Sequence, residues 1–266
     1  MFDTITLLTD FGLEDDFVGV CHGVIARIAP AATVIDVTHG IQPQAVHQGA
    51  RVLARSVPFL PVGVHVAVVD PGVGSARRAI AVATADGRVL VGPDNGLLID
   101  AAERFGIAGA VALTNPRYHL HPVSRTFHAR DIFSPVAAHL AVGVPLFELG
   151  DALPDASLVR LEAAALTVER GKIEAAIVDV DRFGNLGLNA TTSDLDRAGI
   201  ERGSVAIEAG PFSGRVPLGA AFAEVAPGEL LLLEDSYGSL ALAVNGGDAR
   251  TRLGVSLGDT VIIANA

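Results

Sequence analysis

Four short segments concentrate polar side chains in an otherwise apolar chain. They are TDFGLEDDF (residues 9–17), VDPGVGSARR (69–78), RTFHARDIF (125–133) and DRFGN (181–185). In the second segment, Asp70 and Arg77 stand seven residues apart across a glycine-rich loop, a spacing that lets carboxylate and guanidinium fold back on one site. A guanidinium never acts as a base, but it can orient water and favour its deprotonated form. His128, in the third segment, titrates near neutral pH and is the residue type that most often accepts a proton. Each residue also has a plain alternative. Asp70-Pro71-Gly72 reads equally as a turn. His128 beside Phe127 reads as a structural histidine. Asp10 can cap the segment that follows it, or bind two vicinal hydroxyls of a ribose. Asp15 and Asp16 can cap the helix that begins there, and capping is the default for Asp16. Phe183-Gly184-Asn185 reads as a hairpin turn, or as a ring that stacks on a base beside an amide that hydrogen-bonds it.

Familiar ligand loops are absent or incomplete. Gly72-Val73-Gly74 lacks the third glycine of a dinucleotide fingerprint and is followed by arginines rather than a helix start. No GxxxxGK[ST] run exists, which excludes a P-loop. His119-x-His121 has no carboxylate or cysteine at ligand spacing, so an exposed loop is expected there and no metal.

These residues need elements to position them. In the first half, strands at 4–9, 33–37 and 64–69 alternate with apolar patterns of helical spacing at 17–28 and 46–57. Pro30 and Pro58 close the two helices. Residues 79–83 and 88–91 read as paired strands around Asp86-Gly87, and 95–105 and 131–142 as helices. Such alternation implies an α/β layer structure with a largely parallel sheet, whose ligands sit beyond the carboxyl ends of the strands. Asp10 and Asp70 both fall there. The second half shows short strands at 173–180, 204–208, 230–234, 239–244 and 260–263, punctuated by Gly and Pro, and reads as a small all-β barrel or sandwich. The expected division is an N-terminal α/β domain over 1–160 and a C-terminal β-barrel domain over 161–266.

Composition narrows the classes. The 266 residues are half hydrophobic and 18% charged, which suits a buried core and excludes widespread disorder. The formal net charge of −11 disfavours nucleic acid as a partner. The apolar stretches are all broken by charge, Gly or Pro, so neither a transmembrane helix nor a membrane partner is expected. The N-terminus lacks the pattern of a signal peptide, and one cysteine, Cys21, excludes an intramolecular disulfide framework, so cytoplasmic residence is the expectation.

Taken in series, TDFGLEDDFVG, IDVTHGI, VVDPGVGSARR, GPDNGLL, TFHARDIFSPVAAHLA, DRFGN and DSYGSLALAVNGG resemble the S-adenosyl-L-methionine hydroxide adenosyltransferases, relatives of fluorinating and chlorinating enzymes that act on the same substrate. The motifs run in order over nearly the whole chain. The resemblance implies attack of activated water on ribose C5′, giving adenosine and L-methionine with no cofactor. It also implies a homotrimer with sites between subunits. Asp70, Arg77 and His128 would activate water, and Asp10 would bind the ribose. Phe183 and Asn185 would hold the adenosine, Asp181 and Ser236 the methionine amine and carboxylate, and Asn245 the adenine edge. Tyr237 and Gln44 fall at substrate-side positions that vary within the family. Ala129 follows His128 where many relatives carry Gly. The halogenating relatives lack an acid at the position of Asp70 and carry an insertion after it, which favours water over halide here. The alternatives are a 5′-halogenase of the same family and a non-catalytic module that binds adenosine or S-adenosyl-L-methionine; a metal-dependent hydrolase ranks last. The substrate would be S-adenosyl-L-methionine generally or its (R)-sulfonium epimer selectively.

Overall fold

The computed structural model describes residues 1–266, and the chain divides into two compact units, Met1–Leu161 and Glu162–Ala266. No helix is long and apolar enough to cross a membrane.

The first unit runs β1 (Thr4–Thr9), α1 (Phe17–Ile28), β2 (Thr33–Thr38), α2 (Val46–Ser56), β3 (Val64–Val68), β4 (Ala79–Thr84), β5 (Val89–Pro93), α3 (Ile99–Arg104), β6 (Ile107–Ala112), α4 (Ser134–Ala141) and β7 (Ala152–Leu153). Its seven strands form one sheet in the order β2-β1-β3-β5-β4-β6-β7. β2, β1, β3 and β5 are mutually parallel, and β4 joins β5 and β6 antiparallel. Alternate residues of β1 serve two cores. Ile5 and Leu7 face the α1 and α4 side, and Leu8 faces α2 and α3. All five residues of β3 are buried, which explains why that strand is apolar without alternation.

Several boundaries differ from the sequence expectation for physical reasons. The third helix begins at Ile99 rather than 95, because Asn95 spends its side chain on the Val69 carbonyl and the Leu97 amide, and Gly96 takes a φ of +93°. The helix expected from 131 instead starts as a π-helical turn, Ala129–Phe133, that runs into α4. Pro135 has no N–H to offer the Asp131 carbonyl, which accepts from the Leu120 amide at 2.9 Å. Asp16 does stand at the N-cap of α1, but its side chain makes no capping hydrogen bond, so the default role given to it fails.

The second unit runs β8 (Thr167–Glu169), β9 (Lys172–Val180), β10 (Leu186–Leu188), α5 (Thr192–Ala198), β11 (Ser204–Ala209), β12 (Phe212–Gly219), β13 (Leu230–Glu234), β14 (Leu240–Val244), α6 (Ala249–Leu253) and β15 (Thr260–Asn265). The strand order β10-β14-β13-β12-β11-β15-β9 closes on itself through β9–β10, giving a seven-stranded barrel with β8 attached to β9. Ile173, Ala175 and Ile177 alternate into its core. The expected β-barrel is present, with two short helices, α5 and α6, beside its strands. The Asp194 carboxylate accepts the Thr191 amide at the start of α5, and Asp248 accepts the Thr251 amide at the start of α6.

Candidate active site

Strands β1 and β3 are neighbours and parallel, so the residues that follow them emerge at the same edge of the sheet. Asp10 follows Thr9, and Asp70 follows the apolar run of β3. Both line a cavity of about 290 Å³ together with Phe11, Phe17, Gln44, Val73, Phe127 and His128. That volume lies near the low end for small-molecule sites, roughly 300 Å³ upward.

The loop after Asp70 turns twice within six residues. The Val73 amide donates to the Asp70 carbonyl and the Ser75 amide to the Gly72 carbonyl. Gly74 has a φ of +76°, and a Cβ there would stand 2.3 Å from the Arg125 carbonyl oxygen. A residue without a side chain is therefore required where this loop meets the segment bearing His128.

The double turn delivers Arg77 back onto Asp70. Its Nε donates to Asp70 Oδ1 at 2.9 Å and Oδ2 at 3.0 Å, and a terminal nitrogen contacts Oδ2 as well. The same terminal nitrogen lies 2.9 Å from His128 Nδ1. The pair is well shielded, with 10% of the Arg77 side chain and 5% of the Asp70 side chain exposed. The guanidinium also lies 5.3 Å from the Phe133 ring centroid. A guanidinium has only N–H groups to offer, so Nδ1 of His128 accepts, and the neutral ring carries its proton on Nε2. Burial, and then Arg77, push the His128 pKa down; the Asp70 and Asp131 carboxylates and the Ser124 backbone pull the other way and lose.

Asp10 is fixed differently. Its Oδ2 accepts the Gln44 backbone amide at 2.8 Å. Gln44 holds a φ of 65°, the one non-glycine residue with positive φ in the chain. Opposite them, the rings of Phe11, Phe17 and Phe127 meet edge to face with centroids 5.1 to 6.0 Å apart.

The remaining sequence candidates lie in the second unit. Asp181 Oδ1 accepts the amides of Phe183 and Asn185, and its Oδ2 accepts the Asn185 side-chain amide at 2.7 Å. This turn leaves Phe183 74% exposed. Ser236 and Tyr237 sit on the exposed turn that joins β13 to β14, organised by Asp235. Antiparallel pairing of β10 with β14 puts that turn at the opposite end of the pair from the Asp181 turn. Asn245 donates its side-chain amide to the Val225 carbonyl. His119 is half-buried and His121 exposed, so the loop expected there is only partly open.

Sequence reasoning singled out the segments that hold Thr9, Phe11, Phe17, Asp36 and His39 but gave these residues no individual role in the site. His39 carried a usable signal, because a histidine two residues before Ile41 directly follows a strand at the ligand edge of the sheet.

Family models match the chain over two spans: the SAM hydroxide adenosyltransferase N-terminal domain over residues 5–150 and the C-terminal domain of the same family over 175–262. The chain belongs to the SAM hydroxide adenosyltransferase family. A protein of Salinispora tropica named (R)-S-adenosyl-L-methionine hydrolase is 52% identical over 96% of this chain and 95% of that protein. A fluorinase of Actinoplanes sp. is 30% identical over 98% and 97%. The crystal structure of an uncharacterized conserved protein from Thermotoga maritima superposes with a TM-score of 0.92 at 39% identity, over 98% of this chain and all of that one.

Proposed function

We propose that the protein hydrolyses (R)-S-adenosyl-L-methionine to adenosine and L-methionine. The observation that carries this reading is the Asp70–Arg77–His128 chain of contacts, whose two ends, Asp70 and His128, line the same cavity as Asp10. In the reaction, the oxygen of water attacks ribose C5′ while the C5′–S bond breaks. The bonding pair stays on sulfur, and the cationic sulfonium leaves as neutral methionine. One water proton must be removed.

The contacts favour Asp70 as its acceptor. Arg77 occupies three of the roughly four lone-pair directions of this carboxylate, which leaves room for one water. His128 is the poorer candidate, since its Nδ1 lone pair is aimed at Arg77 and its Nε2 carries the proton. Its role is then to fix the guanidinium and with it the carboxylate. Arg77 stabilises the developing hydroxide, and a shielded site strengthens that attraction. Asp10 accepts the ribose hydroxyls. The reaction balances without metal or redox cofactor, so turnover should survive chelation.

We further assign Phe183 and Asn185 to the adenosine, Asp181 and Ser236 to the methionine end, and Asn245 to the adenine edge, with Tyr237 beside them. The active form in this proposal is a homotrimer. The exposed Phe183 ring is what a residue reserved for a ligand or for another copy would show.

Incubating each sulfonium epimer in oxygen-18 water tests the reaction. Labelled adenosine with unlabelled methionine, formed faster from the (R)-epimer, is the expected outcome. Label in methionine, or a 5′-halogenated nucleoside outpacing adenosine when chloride or fluoride is added, would overturn it.

A further inference from the structure

The motif IDVTHGI carries no role in the reaction as written, yet it touches the site. We infer that His39, braced by Asp36, is a positioning residue for Asp10; the inference rests on Asp10 being the ribose-binding carboxylate.

The residues on both sides of Asp10 are held by the stretch that follows β2. Thr9 Oγ1 lies 2.8 Å from His39 Nδ1. The Phe11 amide donates to the same hydroxyl at 3.2 Å. The Gly12 amide donates to the His39 carbonyl at 2.9 Å. The Gln44 amide then takes Oδ2 of Asp10 itself. Behind His39, its Nε2 stands 3.0 Å from Asp36 Oδ1, and His22 Nε2 stands 2.8 Å from the same oxygen.

The chemistry of these groups sets one direction for the chain. The Asp36 carboxylate lies 3.0 Å from Nε2 outside hydrogen-bond geometry, and its negative charge favours the tautomer with the proton on Nε2. Nδ1 is then an acceptor, and the Thr9 hydroxyl must donate to it. The hydroxyl oxygen keeps a lone pair for the Phe11 amide. With that tautomer, the Thr9 hydroxyl donates to His39 and accepts from Phe11, and the two hydrogen bonds polarise each other.

Fold stability alone does not call for this arrangement. The His39 side chain is 3% exposed, and an apolar residue of similar volume would fill its place without the cost of burying polar atoms. What the polar chain adds is orientation, because it fixes the backbone at 9, 11 and 12 and so the direction in which the Asp10 carboxylate leaves β1. A ribose diol demands that direction; an adenine ring does not.

The test is calorimetric binding of adenosine and of 2′,3′-dideoxyadenosine to the full-length protein. Wild type should prefer adenosine. His39→Leu should weaken adenosine about five- to tenfold, as expected for one net hydrogen bond, and leave dideoxyadenosine within about twofold. His39→Asn, whose amide oxygen can still accept from Thr9, should recover most of the loss. Asp36→Asn, at an exposed position that is safer for folding, should give a smaller loss of the same selectivity. In an Asp10→Ala background, His39→Leu should have no further effect. Equal weakening of both nucleosides, or none, would overturn the positioning role while leaving the ribose assignment of Asp10 intact. A wild type that does not distinguish the two nucleosides would overturn both.

Discussion

Arg77 donates to Nδ1 of His128 at 2.9 Å while gripping both carboxylate oxygens of Asp70, so one guanidinium fixes an acid and an imidazole 58 residues apart in sequence. Replacing it by lysine keeps the charge and loses the fork. A single ammonium cannot hold two partners in these directions at once. Arg77→Lys is therefore expected to lower kcat about 100-fold, in the range for loss of a positioned electrostatic group, with little change in KM or melting temperature. Steady-state kinetics on the (R)-epimer checks this. A variant within about threefold of wild type would mean that charge alone suffices.

The pH profile follows from His128. Burial and Arg77 lower its pKa from the ordinary 6.5, so the ring stays neutral, and available to Arg77, somewhat below that value. Protonation at lower pH turns an acceptor into a second cation facing the guanidinium. The plateau of kcat/KM should thus extend below pH 6.5 and then fall on the acid side. His128→Asn, whose amide oxygen accepts at any pH, should flatten that limb. An acid limb centred above 6.5 in the wild type would contradict the assignment.

Gln44 offers a test of strain. Its φ of 65° costs a side-chain-bearing residue about 1 kcal/mol, and glycine would avoid that. Gln44→Gly should raise stability by at most about 0.5 kcal/mol, the cost of strain less the added freedom of the unfolded chain. The backbone amide that binds Asp10 is retained, so KM should change only through loss of the side chain. Gln44→Pro removes that amide and forces φ negative, and both KM and stability should worsen. Denaturant titration with parallel kinetics separates the two.

These residues also show what could be read without coordinates. Asp10 and Asp70 were legible because strand ends in a parallel sheet are where ligands sit, His128 because a residue that titrates near neutral pH stands in a polar segment, and β1 and β3 from their apolar runs. The Arg77 contact was legible from its spacing to Asp70. Gln44 was not, since only its backbone acts and a positive φ at glutamine leaves no mark in residue type. The place of His39 after a strand was legible, but its contact was not, since its partner Thr9 lies 30 positions away and the pairing depends on β1 and β2 being neighbours. In the barrel, β10 and β8 escaped because three-residue strands carry no periodicity. β12 escaped because Gly214 and Pro217 read as breakers, yet both lie on a strand whose neighbours supply the register. The helices α5 and α6 escaped because five to seven residues are too few for an apolar stripe to show.

A buried histidine outside the cavity lining is expected to weaken the fold in acid. His65 lies on β3 opposite Thr6 of β1, whose hydroxyl is 3.0 Å from its Nδ1. The residue is wholly buried, and burial together with the nearby Arg88 lowers its pKa to about 4. The unfolded chain binds this proton near pH 6.5, so between those values the unfolded state holds more protons than the folded one. Stability from this group is complete above 6.5, declines as pH falls, and is lost once pH drops through about 4. The full loss is of order 3 kcal/mol. Urea unfolding from pH 7.5 down to 4 should show this decline in wild type. His65→Gln, which keeps an acceptor for Thr6 but does not titrate, should start less stable at pH 7.5 and lose less on acidification. Parallel curves for the two proteins would mean that another group governs acid unfolding.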